Sequence, residues 1–198
     1  MNSAPPTAPA PRARWLRRIA GYVIGLALAW GAIAFVAQPL EVDGVSMEPL
    51  LRAGDEVLVW KGARNFHEGE IVVARPSALA GRSLIKRIIA GPGRTIAFVD
   101  GERWLDGAPA PEPWLHAGEK DLASLAPLLL GADQYFLAGD NRGASMDSRD
   151  PEIGPLNRAE ITGRALLRLW PPAGWGRLGF APTAPQPPLL RPGKSGAA

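Results

Sequence analysis

Residues 83–105 read SLIKRIIAGPGRTIAFVDGERWL, and the punctuation of this stretch decides the fold. Ser83–Ala90, Thr95–Val99 and Glu102–Leu105 are short runs rich in Ile, Leu, Val and Phe, too brief for ordinary helices. Gly91-Pro92-Gly93 breaks the first run from the second. Asp100-Gly101 is a two-residue hairpin signal between the second and third. The stretch therefore reads as three successive strands. The same grammar recurs on both sides, and Glu56–Trp60, Glu70–Arg75, Gln134–Ala138 and Thr162–Leu169 are predicted strands. Asp121–Leu130 is read as a short helix or a buried loop. There is no internal repeat, and residues 38–180 are expected to form one mainly β domain.

Toward the N-terminus the pattern changes. Ile19–Ala37 reads IAGYVIGLALAWGAIAFVA, 19 residues without a charge. At about 1.5 Å per residue a helix of that length spans roughly 28 Å, close to the hydrocarbon core of a bilayer. Arg12, Arg14, Arg17 and Arg18 precede it, and no Lys or Arg follows until Arg52. This asymmetry predicts a single-pass anchor with a cytoplasmic N-terminus and the β domain on the extracytoplasmic face. Ala32-Ile33-Ala34 resembles the small-x-small end of a cleaved signal peptide, but the apolar run exceeds the ~7–15 residues usual there. An uncleaved anchor is the preferred reading. Residues 1–18, rich in proline and arginine, are expected to be a cytoplasmic tail. Residues 181–198, with five prolines, are expected to be unstructured.

Composition narrows the chemistry. The chain has 198 residues, 46% hydrophobic and 21% charged, with a net charge of +3. Much of the basic excess lies in the N-terminal arginines, so it reads as membrane topology rather than nucleic-acid binding. The absence of cysteine removes disulfides, thiolate nucleophiles and Cys-based metal sites. His67 and His116 both stand in polar stretches, NFHEGE and WLHAGE, that read as surface loops. No metal and no cofactor is expected, and a monomer is.

Lys86 is the single lysine of a strand otherwise built of aliphatics and one arginine. Alternation puts Leu84 and Ile88 on its side, with Ile85 and Arg87 on the other. Such a lysine either extends its amine to water or is desolvated, and desolvation lowers its pKa toward that of a usable base. Ser46 lies in the turn Asp43-Gly44-Val45-Ser46, ahead of Met47-Glu48-Pro49. A turn of this kind offers a hydroxyl together with free backbone N–H groups, although most turn serines do nothing of the sort. Asp140–Arg149 packs Asn141, Arg142, Ser145, Asp147 and Arg149 into one polar loop. It lacks the alternating carboxylates of a calcium loop, and Asp147 and Arg149 are candidates for an ion pair.

The residues also fit one known pattern in order and spacing. VDGVSMEPLLRAGDEVLV, GEIVVARP, SLIKRIIAGPGRTI and FLAGDNRGASMDSRDPEIGPL together resemble the bacterial type I signal peptidases, which are Ser/Lys membrane proteases. The resemblance runs from Ile19 to about Pro171, and ITGRALLRLWP is similar to the family's last core strand. It implies two antiparallel β-sheets behind one transmembrane helix, with an exposed apolar surface near the membrane. It implies Ser46 as nucleophile, Lys86 as general base and Ser145 as the group orienting the lysine amine. It further implies Asp147 and Arg149 as a supporting ion pair, and Gly139 as a gap beside the lysine. The oxyanion would be held by N–H groups at Ser46 and Gly44. Substrates would be secretory preproteins cut after a small-x-small motif, with membrane lipid as the other partner. Gly44 replaces a serine that many members carry, so a side-chain oxyanion donor is missing. Pro49-Leu50-Leu51, Gly143-Ala144 and Gly93-Arg94 also depart from the usual boxes. The segment between the lysine and GDNR boxes is too short for a large accessory domain. A specialised Ser/Lys maturation protease and a non-catalytic anchored paralogue are the alternatives.

Overall fold

A computed structural model of the chain describes residues 11–115 and 124–178, with backbone alone for 11–14 and 32–35. The chain divides after Gln38. The first unit is the helix α1, Pro11–Val36, which opens on a proline whose missing N–H costs nothing in a first helical turn. It begins inside the stretch expected to be a tail. Among the described residues no helix is long and apolar enough to cross a membrane. The large side chains along its described part are bare, with Tyr22, Leu26, Leu28 and Trp30 70–75% exposed.

The chain continues as β1 (Ala37–Glu41), β2 (Glu56–Trp60), β3 (Ile71–Ala74) and β4 (Leu84–Ala90). Then come β5 (Thr95–Val99), β6 (Glu102–Leu105), β7 (Ala108–Pro109) and β8 (Leu125–Leu129). The last four are β9 (Gln134–Ala138), β10 (Leu156–Asn157), β11 (Ile161–Trp170) and β12 (Gly176–Arg177). Among the described residues, one sheet runs β1-β2-β11-β3-β4-β9-β10, with β12 also on β11, and a second runs β7-β6-β5-β8. The domain is mainly β, with two antiparallel sheets. β5 and β6 form the hairpin read from the sequence, pairing Val99 with Glu102. Asp100 and Gly101 both take positive φ, 49° and 75°, as the tight turn requires.

The reading of Asp121–Leu130 needs correction. Leu125–Leu129 is strand β8, paired with β5, while residues 121–123 lie outside the described ones. Pro127 is ill suited to a helix interior, and the strand sits at a sheet edge, where a proline breaks no ladder. Leu125 and Leu128 pack onto the cluster of Ile96, Phe98, Leu105 and Phe136 that joins the second sheet to the ends of β4 and β9. Of the expected tails, residues 1–10 and all of 181–198 lie outside the described residues.

A second cluster positions the site. Met47 and Leu51, both with no exposed surface, sink into Val42, Val57, Val59, Ile71, Val73 and Ala165. They are one helical turn apart, joined by the Leu51 N–H donating to the Met47 carbonyl at 2.9 Å. Burial of two such side chains, worth about 2–5 kcal/mol each against alanine, pins the serine turn to the sheet.

Candidate active site

Ser46 follows β1 in a loop closed at its base by two backbone bonds. Val42 N–H donates to the Asp55 carbonyl at 2.8 Å, and Gly54 N–H donates to the Val42 carbonyl at 2.9 Å. Within the loop Glu48 N–H donates to the Val45 carbonyl at 3.1 Å, and the Glu48-Pro49 peptide is cis. Among the described residues the Ser46 N–H has no acceptor. Gly44 takes φ +151°, a conformation that side-chain-bearing residues rarely adopt. A side-chain donor at position 44 would therefore strain this turn.

Lys86 comes from β4, opposite Val72 of β3. The pairing of β4 with β9 starts one residue later, at Arg87 and Ala138. Lys86 thus lies where the strand has a neighbour on one edge and the loop after β9 on the other. Its Nζ donates to Ser46 Oγ at 2.5 Å. The side chain is only 3% exposed. Burial lowers its pKa from 10.5 to about 8; the Asp147 charge works against that shift, and Arg149 works with it. A cleft of about 110 Å³ opens over the pair, lined by Leu40–Gly44 on one side and Ser83–Ile85 on the other.

The loop after β9 supplies the backing. Asp147 accepts from Arg149 Nε at 2.9 Å, from Arg149 Nη2 at 2.9 Å, from Ser145 Oγ at 2.6 Å and from the Gly139 N–H at 2.9 Å. Burial alone would raise its pKa, but these donors hold it below the usual carboxylate value. Ser145 therefore spends its proton on Asp147, and no described bond joins it to Lys86. A Cβ at position 139 would collide with Ser145 Oγ and the Ser46 carbonyl. The atoms nearest to the open side of Gly139 belong to Ser145 and Ser46. Asn141 ties this loop to the nucleophile turn. Its N–H donates to the Ser46 carbonyl at 3.0 Å, and its Nδ2 donates to the Val45 carbonyl at 3.2 Å.

Two further ion pairs escape a reading of the sequence alone. Arg87, 1% exposed, holds Asp140 in a fork at 2.8 and 2.6 Å and donates to the Gly69 carbonyl at 2.7 Å. Arg142 holds Glu112 at 2.9 and 2.5 Å. Strand alternation placed Arg87 opposite Lys86, which should have signalled a buried cation in need of an acid. His67 is exposed, with its ring at 3.4 Å from Glu70, and His116 lies outside the described residues. Among the described residues no histidine meets Ser46, and no cluster of His, Asp and Glu could hold a metal ion.

The family model described as "Signal peptidase, peptidase S26" matches residues 13–170. The chain belongs to this family. It is a serine peptidase and hence a hydrolase. A probable signal peptidase I-1 of Synechocystis is 35% identical over 79% of this chain and 83% of its own length. The signal peptidase I of Bacillus licheniformis is 30% identical over 79% of this chain and 88% of its own. A crystal structure of a signal peptidase I from Enterococcus faecalis V583 aligns with 52% of this chain and 98% of its own, at 24% identity and a TM-score of 0.44.

Proposed function

We propose that the chain is a membrane-anchored endopeptidase that removes signal peptides from secretory preproteins, with Ser46 as nucleophile and Lys86 as general base. The observation that carries this reading is the contact between Lys86 Nζ and Ser46 Oγ, 2.5 Å, made by an amine whose pKa is lowered to about 8. Neutral Lys86 takes the Ser46 proton as Oγ bonds to the scissile carbonyl carbon. The oxyanion accepts hydrogen bonds from turn N–H groups, chiefly that of Ser46, with Gly44 leaving room beside it. Protonated Lys86 then gives its proton to the leaving amine as the C–N bond breaks. Water, deprotonated by Lys86, adds to the acyl-enzyme, and the proton returns to Ser46 as the acid departs. Ser145, whose proton points to Asp147, keeps its oxygen lone pairs to accept from the lysine amine when that amine turns away from Ser46.

The substrate lies extended in the cleft between Leu40–Gly44 and Ser83–Lys86, where space is narrow and small side chains fit. Cleavage follows a small-x-small motif. The anchor is α1. Its bare Tyr22, Leu26, Leu28 and Trp30 call for apolar surroundings, and the uncharged run extends through Ile33, Phe35 and Val36. Arg12, Arg14, Arg17 and Arg18 keep the N-terminus cytoplasmic. Tethering enzyme and preprotein to one bilayer raises their mutual concentration. The enzyme works as a monomer, without metal or cofactor. S46A and K86A, assayed in detergent on a preprotein, should each lose at least about a thousandfold in kcat/KM while keeping the wild-type fold by circular dichroism. Near-normal processing by either variant ends the assignment. Alkaline carbonate extraction of membranes tests the anchor, which requires the chain to stay in the pellet.

A further inference from the structure

We propose that Glu112 is a positioning residue for this peptidase: from the second sheet it clamps Arg142 and so sets the strut that holds the Ser46 backbone against Lys86. Glu112 follows β7, far in the sequence from either catalytic group. Its side chain is 6% exposed and that of Arg142 is 2%. Both Glu112 oxygens are taken, one by each terminal nitrogen of the guanidinium, at 2.9 and 2.5 Å. The remaining nitrogen, Arg142 Nε, donates to the Gly139 carbonyl at 2.9 Å. The Arg142 carbonyl accepts from Arg149 Nη2 at 2.8 Å, and Arg149 reaches Asp147. Gly139 is thus gripped at its carbonyl by Arg142 and at its N–H by Asp147. Between Gly139 and Arg142 stands Asn141, whose N–H holds the Ser46 carbonyl. Glu112 is itself backed by Arg103 at 3.8 Å, and the Phe98 ring under Arg142 leaves the guanidinium one planar seat, 5.7 Å from the ring centre.

Without the clamp, Arg142 is a buried cation whose relief is to turn outward, taking Asn141 with it. Ser46 then loses its strut and water reaches Lys86. The charged groups facing Lys86 are Asp147, Arg149 and Asp140, with Glu41 and Asp43 on the opposite wall of the cleft. Glu112 is not one of the charges that set the proton affinity of Lys86. A shifted pH profile in a Glu112 variant therefore reports moved geometry, not a missing charge.

The inference rests on the Ser46 and Lys86 assignment. The test compares full-length wild type, E112D, E112M/R142M and S46A in detergent, on a fluorogenic peptide carrying an Ala-x-Ala site. It reads kcat and KM from pH 6 to 10 and follows thermal unfolding in parallel. The double variant removes both charges of the clamp together, and Arg103, which lies 3.8 Å from Glu112, keeps Glu68 at 3.7 Å. We expect E112M/R142M to fold, to keep KM within about twofold, and to lose about thirtyfold in kcat through misplacement of the reacting groups. Its acid limb should move at least about half a unit toward higher pH as Lys86 regains water. E112D should show the same shift, smaller. A folded double variant with wild-type kcat and an unmoved acid limb overturns the proposal. So does activity that merely tracks the folded fraction in both variants. Cleavage by S46A would instead sink the underlying assignment.

Discussion

Lys86 and Arg87 are neighbours on β4, both cationic in free solution, both buried, and they have opposite fates. Arg87 faces a carboxylate that matches its fork and donates a further bond to the Gly69 carbonyl. Lys86 faces a hydroxyl. Asp147, the carboxylate whose charge acts on it, is already committed to Arg149, Ser145 and the Gly139 N–H. Burial with a dedicated partner yields a brace, whereas burial without one yields a base. Strand alternation creates the difference, because one step along the chain exchanges the face and with it the available acid.

The sharpest way to break this contrast is to strip the brace. D140A leaves Arg87 charged, 1% exposed and without its anion. Removing one partner of a buried pair typically costs about 3–5 kcal/mol. The thermal midpoint should fall by roughly 10 °C for a domain of this size. A change under about 2 °C would mean that Arg87 finds water or another acceptor, and the two cations would then not differ in kind.

Treating the base in the same way should have the opposite sign. The unfolded chain binds a proton on Lys86 up to pH 10.5, the folded chain only up to about 8. Between those values the unfolded state carries more protons, so stability rises with pH across the window. Below pH 8 the full penalty applies, about 3 kcal/mol at 1.36 kcal/mol per unit. K86M removes the penalty. It should raise the unfolding free energy at pH 7 by up to about 3 kcal/mol, with the gain fading between pH 8 and 10.5. Denaturant titrations at pH 7 and pH 10 read the difference. Wild-type kcat/KM should correspondingly rise about tenfold per unit up to pH 8 and then level, because only the neutral amine accepts the Ser46 proton. A flat rate profile between pH 6 and 9 would mean that Lys86 is not the titrating base.

What was legible from the sequence follows the same divide between local and distant causes. The strands around SLIKRII, the Asp100-Gly101 turn and the polar loop Asp140–Arg149 are written in neighbouring residues, and they stand where period and punctuation put them. β8 was misread because Asp121–Leu130 has no alternation, and its strand state comes from pairing with β5, a partner outside the segment. Glu112 carries no local sign at all. Its role exists only because the second sheet brings it to Arg142, 30 residues away.

The smallest expected effect concerns Ser145, and it separates direct from relayed support of the base. Because its hydroxyl donates to Asp147 at 2.6 Å, Ser145 can meet Lys86 only as an acceptor. An amine that donates to Ser145 keeps its lone pair free to point at Ser46 Oγ. S145A removes that acceptor without touching a charge, and one hydrogen bond of this kind is worth about 1 kcal/mol. We expect kcat to fall about three- to tenfold, S145T to restore most of it, and the acid limb to stay near pH 8, since Asp147 keeps its other donors. A large acid-limb shift in S145A would show that Ser145 acts through the charge of Asp147 rather than by aiming the amine.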